Sequence, residues 1–235
     1  MNRTLLRLST QALLGRRRGL VLLFIPGALL VLSFVVRALT DAEVGVEAAI
    51  GLGFTLALPL VALLASTAVL GPEVDDGSIV YLLAKPVSRH VIAISKFAAA
   101  WAATMVLGAL PLVVAGLVLD PSEPRRALAL GAGAAVAGTV YAALFIGLAA
   151  FTRHAVVVGL LFALLWEGVL GSIFAGVRWL SVGAWGREVA SAVSPLVDAA
   201  DIGLAYTVVA AGAVTVASVW FTGDRLRSFT LRGDE

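Results

Sequence analysis

The charged and polar groups that could do chemistry in this chain are concentrated in residues 71–96, GPEVDDGSIVYLLAKPVSRHVIAISK, between two long apolar runs. This stretch holds three carboxylates, two lysines, an arginine and His90, and the only other histidine is His154. The sequence lacks the H-E-x-x-H and G-x-S-x-G motifs, and it has no cysteine for a thiolate ligand or nucleophile. These absences argue against an enzyme or a thiolate metal site, and residues 71–96 are either a docking segment for a partner or a plain loop with solvated charges.

One further ionisable residue, Glu167, lies deep in an apolar run, between LLFALLW and GVLGSIFAG. A charged side chain at membrane depth costs roughly +2.5 to +3.5 kcal/mol on insertion scales, so it is usually paired or faces a cavity. Two interpretations stay open. Glu167 is either a pathway or gating residue, or a structural glutamate that accepts hydrogen bonds near the outer end of its helix.

The composition indicates the elements that must position these residues. The chain has 235 residues, of which 60% are hydrophobic and 14% charged, whereas soluble domains are about half apolar and a quarter charged. We therefore predict an all-α polytopic membrane protein, a single transmembrane domain over residues 1–235. About 20 apolar residues cross the bilayer, and six runs qualify: 19–38, 48–70, 97–119, 127–151, 155–174 and 202–221. Pro59 and Pro111 fall inside two of these runs, where we expect kinks.

The distribution of basic residues predicts the topology. If the N-terminus is inside, twelve Lys and Arg residues lie on the cytoplasmic side and five on the outer side. This bias places both termini in the cytoplasm and residues 71–96 on the cytoplasmic face of the cell's inner or plasma membrane. Because the basic residues flank the spans, they indicate membrane orientation and lipid contact and argue against a nucleic-acid partner.

Two segments outside the six runs are predicted to form short helices at the membrane surface. Residues 1–18 place leucines on one side of a helical wheel and arginines on the other. This pattern predicts an interfacial helix, with a plain basic tail as the alternative. Residues 176–201 are too polar to span, and we expect one or two short helices lying on the outer leaflet or dipping into it.

Within residues 71–96, hereafter the elbow, the sequence predicts two short helices. Asp76 can cap the first helix, and Lys85 precedes Pro86, which should end it. Ser88 can cap a second helix that runs through Lys96 into the third span. The alternative is a plain loop with solvated charges, and the residues alone do not decide between the two.

The elbow resembles the segment that follows the second span of ABC-2 type transporter permeases. That pattern is E-x-x-x-G-T, then L-L-x-x-P-[VI]-x-R, then a lysine. The matching residues here are Glu73, Gly77, Leu82, Leu83, Pro86, Val87, Arg89 and Lys96, with Ser78 where threonine is usual. The six-span layout is also similar. Trp166-Glu167 looks like the W-E pair of the subgroup that includes nitrous-oxide-reductase maturation permeases.

The resemblance implies a membrane subunit, expected to export its substrate, that is driven by a separate cytoplasmic ABC ATPase. That partner would bind ATP and Mg²⁺, since this sequence has no P-loop and no cofactor is expected in it. By the match, the elbow contacts the ATPase, and the coupling residues are Glu73, Asp76, Gly77, Pro86, Arg89 and Lys96. Arg153, in the loop after the fourth run, would make a second contact. A second permease copy or a sister permease would complete twelve spans.

Two other classes remain as alternatives. A proton-coupled secondary transporter would use Glu167, but it needs further buried ionisable groups that the other runs scarcely offer. A non-transporting membrane anchor or immunity protein would also lack catalytic residues. An ATPase that co-purifies with the chain would distinguish a permease from both.

Overall fold

The computed structural model describes residues 16–39, 42–75, 88–171 and 174–228, and these residues are almost entirely helical. The elements, in chain order, are α1 (Arg16–Leu39), α2 (Ala42–Leu52), a π-helical turn (Gly53–Ala57), α3 (Leu58–Asp75), α4 (Arg89–Thr104), a second π-helical turn (Met105–Ala109), α5 (Leu110–Leu119), α6 (Pro124–Phe151), α7 (Ala155–Leu161), a longer π-helical stretch (Phe162–Leu170), a 3₁₀ helix (Ala175–Leu180), α8 (Val182–Val193) and α9 (Leu204–Ser228). The described residues contain no strand, so the predicted all-α class is confirmed for them.

Within the described ranges, five helical segments are long and apolar enough to cross a membrane: Leu22–Leu39, Val44–Leu70, Arg89–Leu119, Pro124–Phe151 and Leu204–Leu226. The fifth predicted run is represented by a shorter apolar segment, Ala155–Leu170, of 16 residues. A helix needs about 20 residues to cross the hydrocarbon core, so the count of six complete spans stays a prediction. The predicted interfacial helix lies largely in residues 1–15, outside the described ranges, and Arg16 already belongs to α1.

The prolines of the second and third spans coincide with π-helical turns. Residues 53–57 precede Pro59, and residues 105–109 precede Pro111. Proline has no N–H to donate and its ring crowds the preceding turn. The chain widens there, so that Leu58 N–H donates to the Gly53 carbonyl, five residues back. The positions where the sequence predicted kinks therefore carry π turns, which are frequent at functional sites.

The helix α6 lies at the centre of the bundle, in contact with α3, α4, α5, α8 and α9. In its most apolar stretch 67% of the residues are buried, against 11% for the last span. The centre of the fold is therefore α6, while α9 presents most of its surface outward.

Small residues allow α8 to insert against α6. A methyl group added to Gly133 of α6 would meet the carbonyl oxygen of Gly186 in α8, and one added to Gly186 would meet Phe54. Trp185 is buried at 3% exposure. The helix α8 thus packs inside the bundle, and the prediction that residues 176–201 lie on the outer leaflet or dip into it stays a prediction.

Helices that alternate in direction give the bundle two ends. The loop end carries residues 119–124 and 174–203, and the elbow end carries residues 71–75, 88–96, 151–155 and 224–228. Polar contacts across the loop end include the Asp120–Arg126 ion pair at 3.1 Å and a hydrogen bond from Arg125 to the Val193 carbonyl. These contacts tie the start of α6 to its own loop and to α8.

Candidate functional site

The carboxylate of Glu167 is held at the N-terminus of α8. Its Oε2 accepts from the Ser181 hydroxyl at 2.6 Å and from Gly183 N–H at 3.2 Å, while Oε1 accepts from Val182 N–H at 2.9 Å. Glu167 is 2% exposed. The first N–H groups of a helix lack intrahelical partners and carry partial positive charge, so a carboxylate there is stabilised. Of the two sequence interpretations, this geometry fits the structural glutamate.

The π turn of the second span also lies close to the N-terminus of α8. Because Pro59 cannot donate, the carbonyl of Phe54 is left without its helical partner, and the hydroxyl of Tyr141 donates to it at 3.3 Å. A Cβ on Gly183 would lie 3.1 Å from the Glu167 carboxylate and 3.2 Å from the Phe54 carbonyl. The absence of a side chain at Gly183 therefore lets the second span, α6, the fifth apolar segment and α8 meet closely.

A second carboxylate, Glu188 of α8, fixes the loop that leads into the last span. Its two oxygens accept from Ala200 N–H and Gly203 N–H, both at 3.1 Å. The loop turns sharply there, with positive φ at Asp201 (57°) and Gly203 (85°). The segment 174–203 is thus fastened at both ends, by Glu167 where α8 begins and by Glu188 where α9 follows.

At the elbow end, a buried lysine joins the two helices that flank the elbow. The Lys96 ammonium donates to the Val69 carbonyl of α3 at 2.9 Å, and Lys96 is 3% exposed. A hydrogen bond from a charged donor is worth more than a neutral one, especially where water is excluded. The ends of α3 and α4 are therefore held side by side.

Two aromatic contacts connect the elbow end to the last span. His90, at the start of α4, stacks on Trp220 with ring centroids 4.5 Å apart, and its Nε2 lies 3.6 Å from an Asp224 oxygen. The Arg225 guanidinium lies 4.9 Å from the centre of the Phe151 ring at the end of α6. His90 of the elbow thus contacts α9, and α9 in turn contacts the end of α6.

The predicted coupling residues fall partly within the described ranges. Asp76, Gly77 and Pro86 lie outside them. Glu73 belongs to the last turn of α3, because that helix continues past Leu70 to Asp75.

The remaining coupling residues lie on or near α4. Ser88 caps α4 as predicted, its hydroxyl accepting from Val91 N–H at 3.4 Å. Arg89 is half-buried, whereas Lys96 is buried between helices. Arg153 is exposed in the turn between α6 and α7, and its Nε donates to His154 Nε2 at 3.3 Å. Arg89 and Arg153 are thus accessible at the elbow end, while the Lys96 ammonium is occupied inside it.

Sequence reasoning did not identify Tyr141, Ser181 or Glu188. The one available signal was Ser181, which precedes the α8 helix and could have been recognised as its N-cap, as its contact with Ala184 N–H shows. Tyr141 donates to a backbone carbonyl 87 residues away, and Glu188 accepts from backbone N–H groups at least 12 residues away. A single sequence does not reveal such pairings. Within the described ranges, no group of three His, Asp or Glu residues could hold a metal ion.

Comparison with known proteins identifies the family. The sequence model described as ABC-2 family transporter protein matches residues 27–211. A search of curated proteins found none that matches the chain. The matched range contains three of the five long apolar segments in full, most of the first and the start of the last, and it also includes the elbow, Glu167 and α8. The chain therefore belongs to the ABC-2 family of transporter proteins, as a membrane permease component of an ABC transporter.

Proposed function

We propose that this chain is the membrane half of an ATP-driven exporter, and that its elbow is the contact through which a cytoplasmic ABC ATPase moves it. The observation that supports this most directly is the Lys96–Val69 hydrogen bond, which fastens α3 to α4 on either side of the elbow. A force applied to the elbow would then act on both spans together. ATP and Mg²⁺ bind to the partner ATPase, not to this permease.

The π turns suggest where the spans bend when the ATPase moves the elbow. One lies at 53–57 and the other at 105–109, between the elbow-end halves α3 and α4 and the loop-end halves α2 and α5. Such turns are points where the regular hydrogen-bond ladder is already interrupted, so a change of angle costs little there. Rocking of α3 and α4 against fixed loop-end halves would change access to the pathway.

The residues then divide into two roles. Glu73, Asp76, Gly77, Pro86 and Arg89 face the ATPase groove, with Arg153 as the second contact. Lys96 is a positioning residue, because its ammonium is already bonded to Val69 inside the bundle. Glu167 is likewise a positioning residue, since its carboxylate has three donors from α8 and its cap.

The assembly requires two permease chains, since one chain supplies only half of a twelve-span transporter. The second is a copy of this chain or a sister permease, in the cell membrane with both termini in the cytoplasm. The twelve-to-five bias of Lys and Arg residues supports that orientation.

The experiment is co-purification of the ATPase with tagged permease from its native membrane. Arg89→Glu should remove the ATPase from the purified complex, because it reverses the charge that faces the groove. Arg125→Glu, an exposed arginine at the loop end, is the matched control and should retain the ATPase. If purified wild-type permease, without any ATPase, moved solute on a proton gradient alone, the proposal would be wrong and the secondary-transporter alternative correct.

A further inference from the structure

A polar cavity of about 500 Å³ lies at the loop end, between α2 and the segment 174–203. Its charged lining comprises two acids and two arginines, Glu47, Asp198, Arg178 and Arg187, beside the occupied carboxylate of Glu167. Sites for small molecules are commonly 300–1,000 Å³ and place a few polar groups to orient the ligand. The volume and the charged lining match such a site.

The four charged side chains have no partner for their charge within the part of the chain that the structure describes. Among the described residues, none of the four forms an ion pair or a side-chain hydrogen bond. This contrasts with Arg126 and Glu188 nearby, which are paired with Asp120 and with backbone N–H groups. Glu47, Arg178 and Asp198 are exposed and Arg187 is half-buried, so this unbonded set is accessible to a ligand that enters the cavity.

The cavity also extends along the membrane spans. Glu47, Gly51 and Thr55 line it at intervals of four residues, which places them on one face of the second span. Gly168 and Gly171 line the opposite side. From Val44 to Thr55 a helix rises roughly 15 Å at 1.5 Å per residue, which is about half the hydrocarbon thickness. A ligand in the cavity would therefore reach both the charged rim and the depth of the acyl chains.

We propose that this cavity binds a zwitterionic group, with an anionic phosphate at the arginines and a cationic amine at Glu47 and Asp198. Arginine binds phosphate through paired N–H groups, and carboxylates bind ammonium. A ligand with a single charge would meet as many like charges as opposite ones, whereas a zwitterion meets partners for both. The molecule that carries this zwitterionic group is either an amphiphile with such a headgroup or a soluble molecule of the same chemistry.

That the ligand is cargo rests on the transport function proposed above, whereas its binding can be measured with the permease alone. The two proposals can therefore fail separately. Loss of the ATPase contact would leave this site intact, and an empty cavity would leave the ATPase contact intact.

The test is titration calorimetry of the purified permease in amphipol with three probes. Dihexanoyl phosphatidylethanolamine carries both charges, dihexanoyl phosphatidylglycerol carries only the anion, and glycerophosphoethanolamine is the zwitterionic headgroup without acyl chains. We expect the phosphatidylethanolamine to bind at least about tenfold tighter than the phosphatidylglycerol, the difference that one charge-assisted contact provides. Glycerophosphoethanolamine binding with equal affinity would identify a soluble zwitterion as the source, and much weaker binding would identify the amphiphile.

Variants assign the two halves of the site. Arg187→Gln should weaken binding of both lipids about tenfold, because both present a phosphate. Glu47→Gln should weaken only the phosphatidylethanolamine and so remove the preference between lipids. Arg125→Gln and Glu123→Gln, at the same end but outside the cavity lining, are matched controls and should bind as wild type. An unchanged thermal unfolding midpoint shows that each variant is folded.

The proposal is overturned if the two lipids bind equally to the wild type. It is equally overturned if Arg187→Gln and Glu47→Gln bind like their controls, since the charges would then be solvated surface groups without a ligand.

Discussion

At the loop end, the buried carboxylates of Glu167 and Glu188 accept hydrogen bonds from backbone N–H groups of distant segments, whereas at the elbow end a buried ammonium, Lys96, donates to the helix carbonyl of Val69. The other elbow-end contacts are partly exposed, as in the His90–Asp224 pair with 22% and 49% side-chain exposure. Among the described residues, the loop end is thus fastened by buried carboxylates that each accept several hydrogen bonds, and the elbow end by a buried ammonium together with partly exposed aromatic and charged contacts.

This difference matters for a transporter that is moved from one side. Buried hydrogen bonds to charged groups are costly to break, so the loop end should behave as one fixed unit. Partly exposed pairs contribute little stability, so the elbow end can be displaced at small cost. The four substitutions below, from the largest expected effect to the smallest, measure how unequal the two ends are.

Glu167→Ala should be the most damaging substitution at the loop end. It leaves the Ser181 hydroxyl and the N–H groups of Val182 and Gly183 buried without their acceptor, which should lower the free energy of unfolding by about 3–5 kcal/mol. Titration of purified protein with dodecyl sulfate, followed by tryptophan fluorescence, measures that free energy. Glu123→Ala, an exposed glutamate at the same end, should unfold like the wild type. Equal stability of the two variants would remove the claim that Glu167 fastens α8.

Gly133→Ala should come next, with a loss of about 2–3 kcal/mol. The added methyl group would meet the Gly186 carbonyl oxygen, and overpacking forces the backbones of α6 and α8 apart. The same titration applies. Gly212→Ala in α9 is the matched control because nothing lies within 4 Å of its added methyl group, and it should be neutral or slightly stabilising. A wild-type value for Gly133→Ala would show that α8 does not pack closely on α6.

Lys96→Met should cost about 1–2 kcal/mol, less than either loop-end change. Methionine keeps the apolar stem but removes the ammonium that bonds to Val69, a charge-assisted hydrogen bond. We also expect ATP-driven transport to fall more than stability does, because α3 and α4 would no longer move together. Lys96→Arg, which keeps a charged donor, should retain more transport than Lys96→Met. Full transport by Lys96→Met would mean that this bond does not couple the two helices.

Asp224→Asn should have the smallest effect, below about 1 kcal/mol. The pair with His90 is 3.6 Å long and partly exposed, and such pairs contribute little. The stacking of His90 on Trp220 would remain in this variant. A loss as large as that of Glu167→Ala would show that the elbow end is fastened as firmly as the loop end.

Much of the helical framework could be predicted from the sequence because hydrophobic length is a local property. The predicted run 127–151 ends with α6 at Phe151, and Ser88 begins α4 as expected. The packing of α8 against α6 could not be predicted, since it depends on the fit of Gly133 against Gly186. The partner of Glu167 could not be predicted, because the donors at 181–183 come close only after the chain has folded. Proline positions predicted kinks but not that the Phe54 carbonyl would find Tyr141.

Site-directed cross-linking tests the central claim most directly, and the absence of native cysteine allows single-cysteine variants of the whole chain. Arg89→Cys at the elbow end and Glu123→Cys at the loop end are each treated in native membranes with a short thiol-to-amine reagent. The account predicts that the Arg89→Cys permease becomes linked to its ABC ATPase and that the Glu123→Cys permease does not. A link from position 123, or none from position 89 while the ATPase is present in the same membranes, would contradict it.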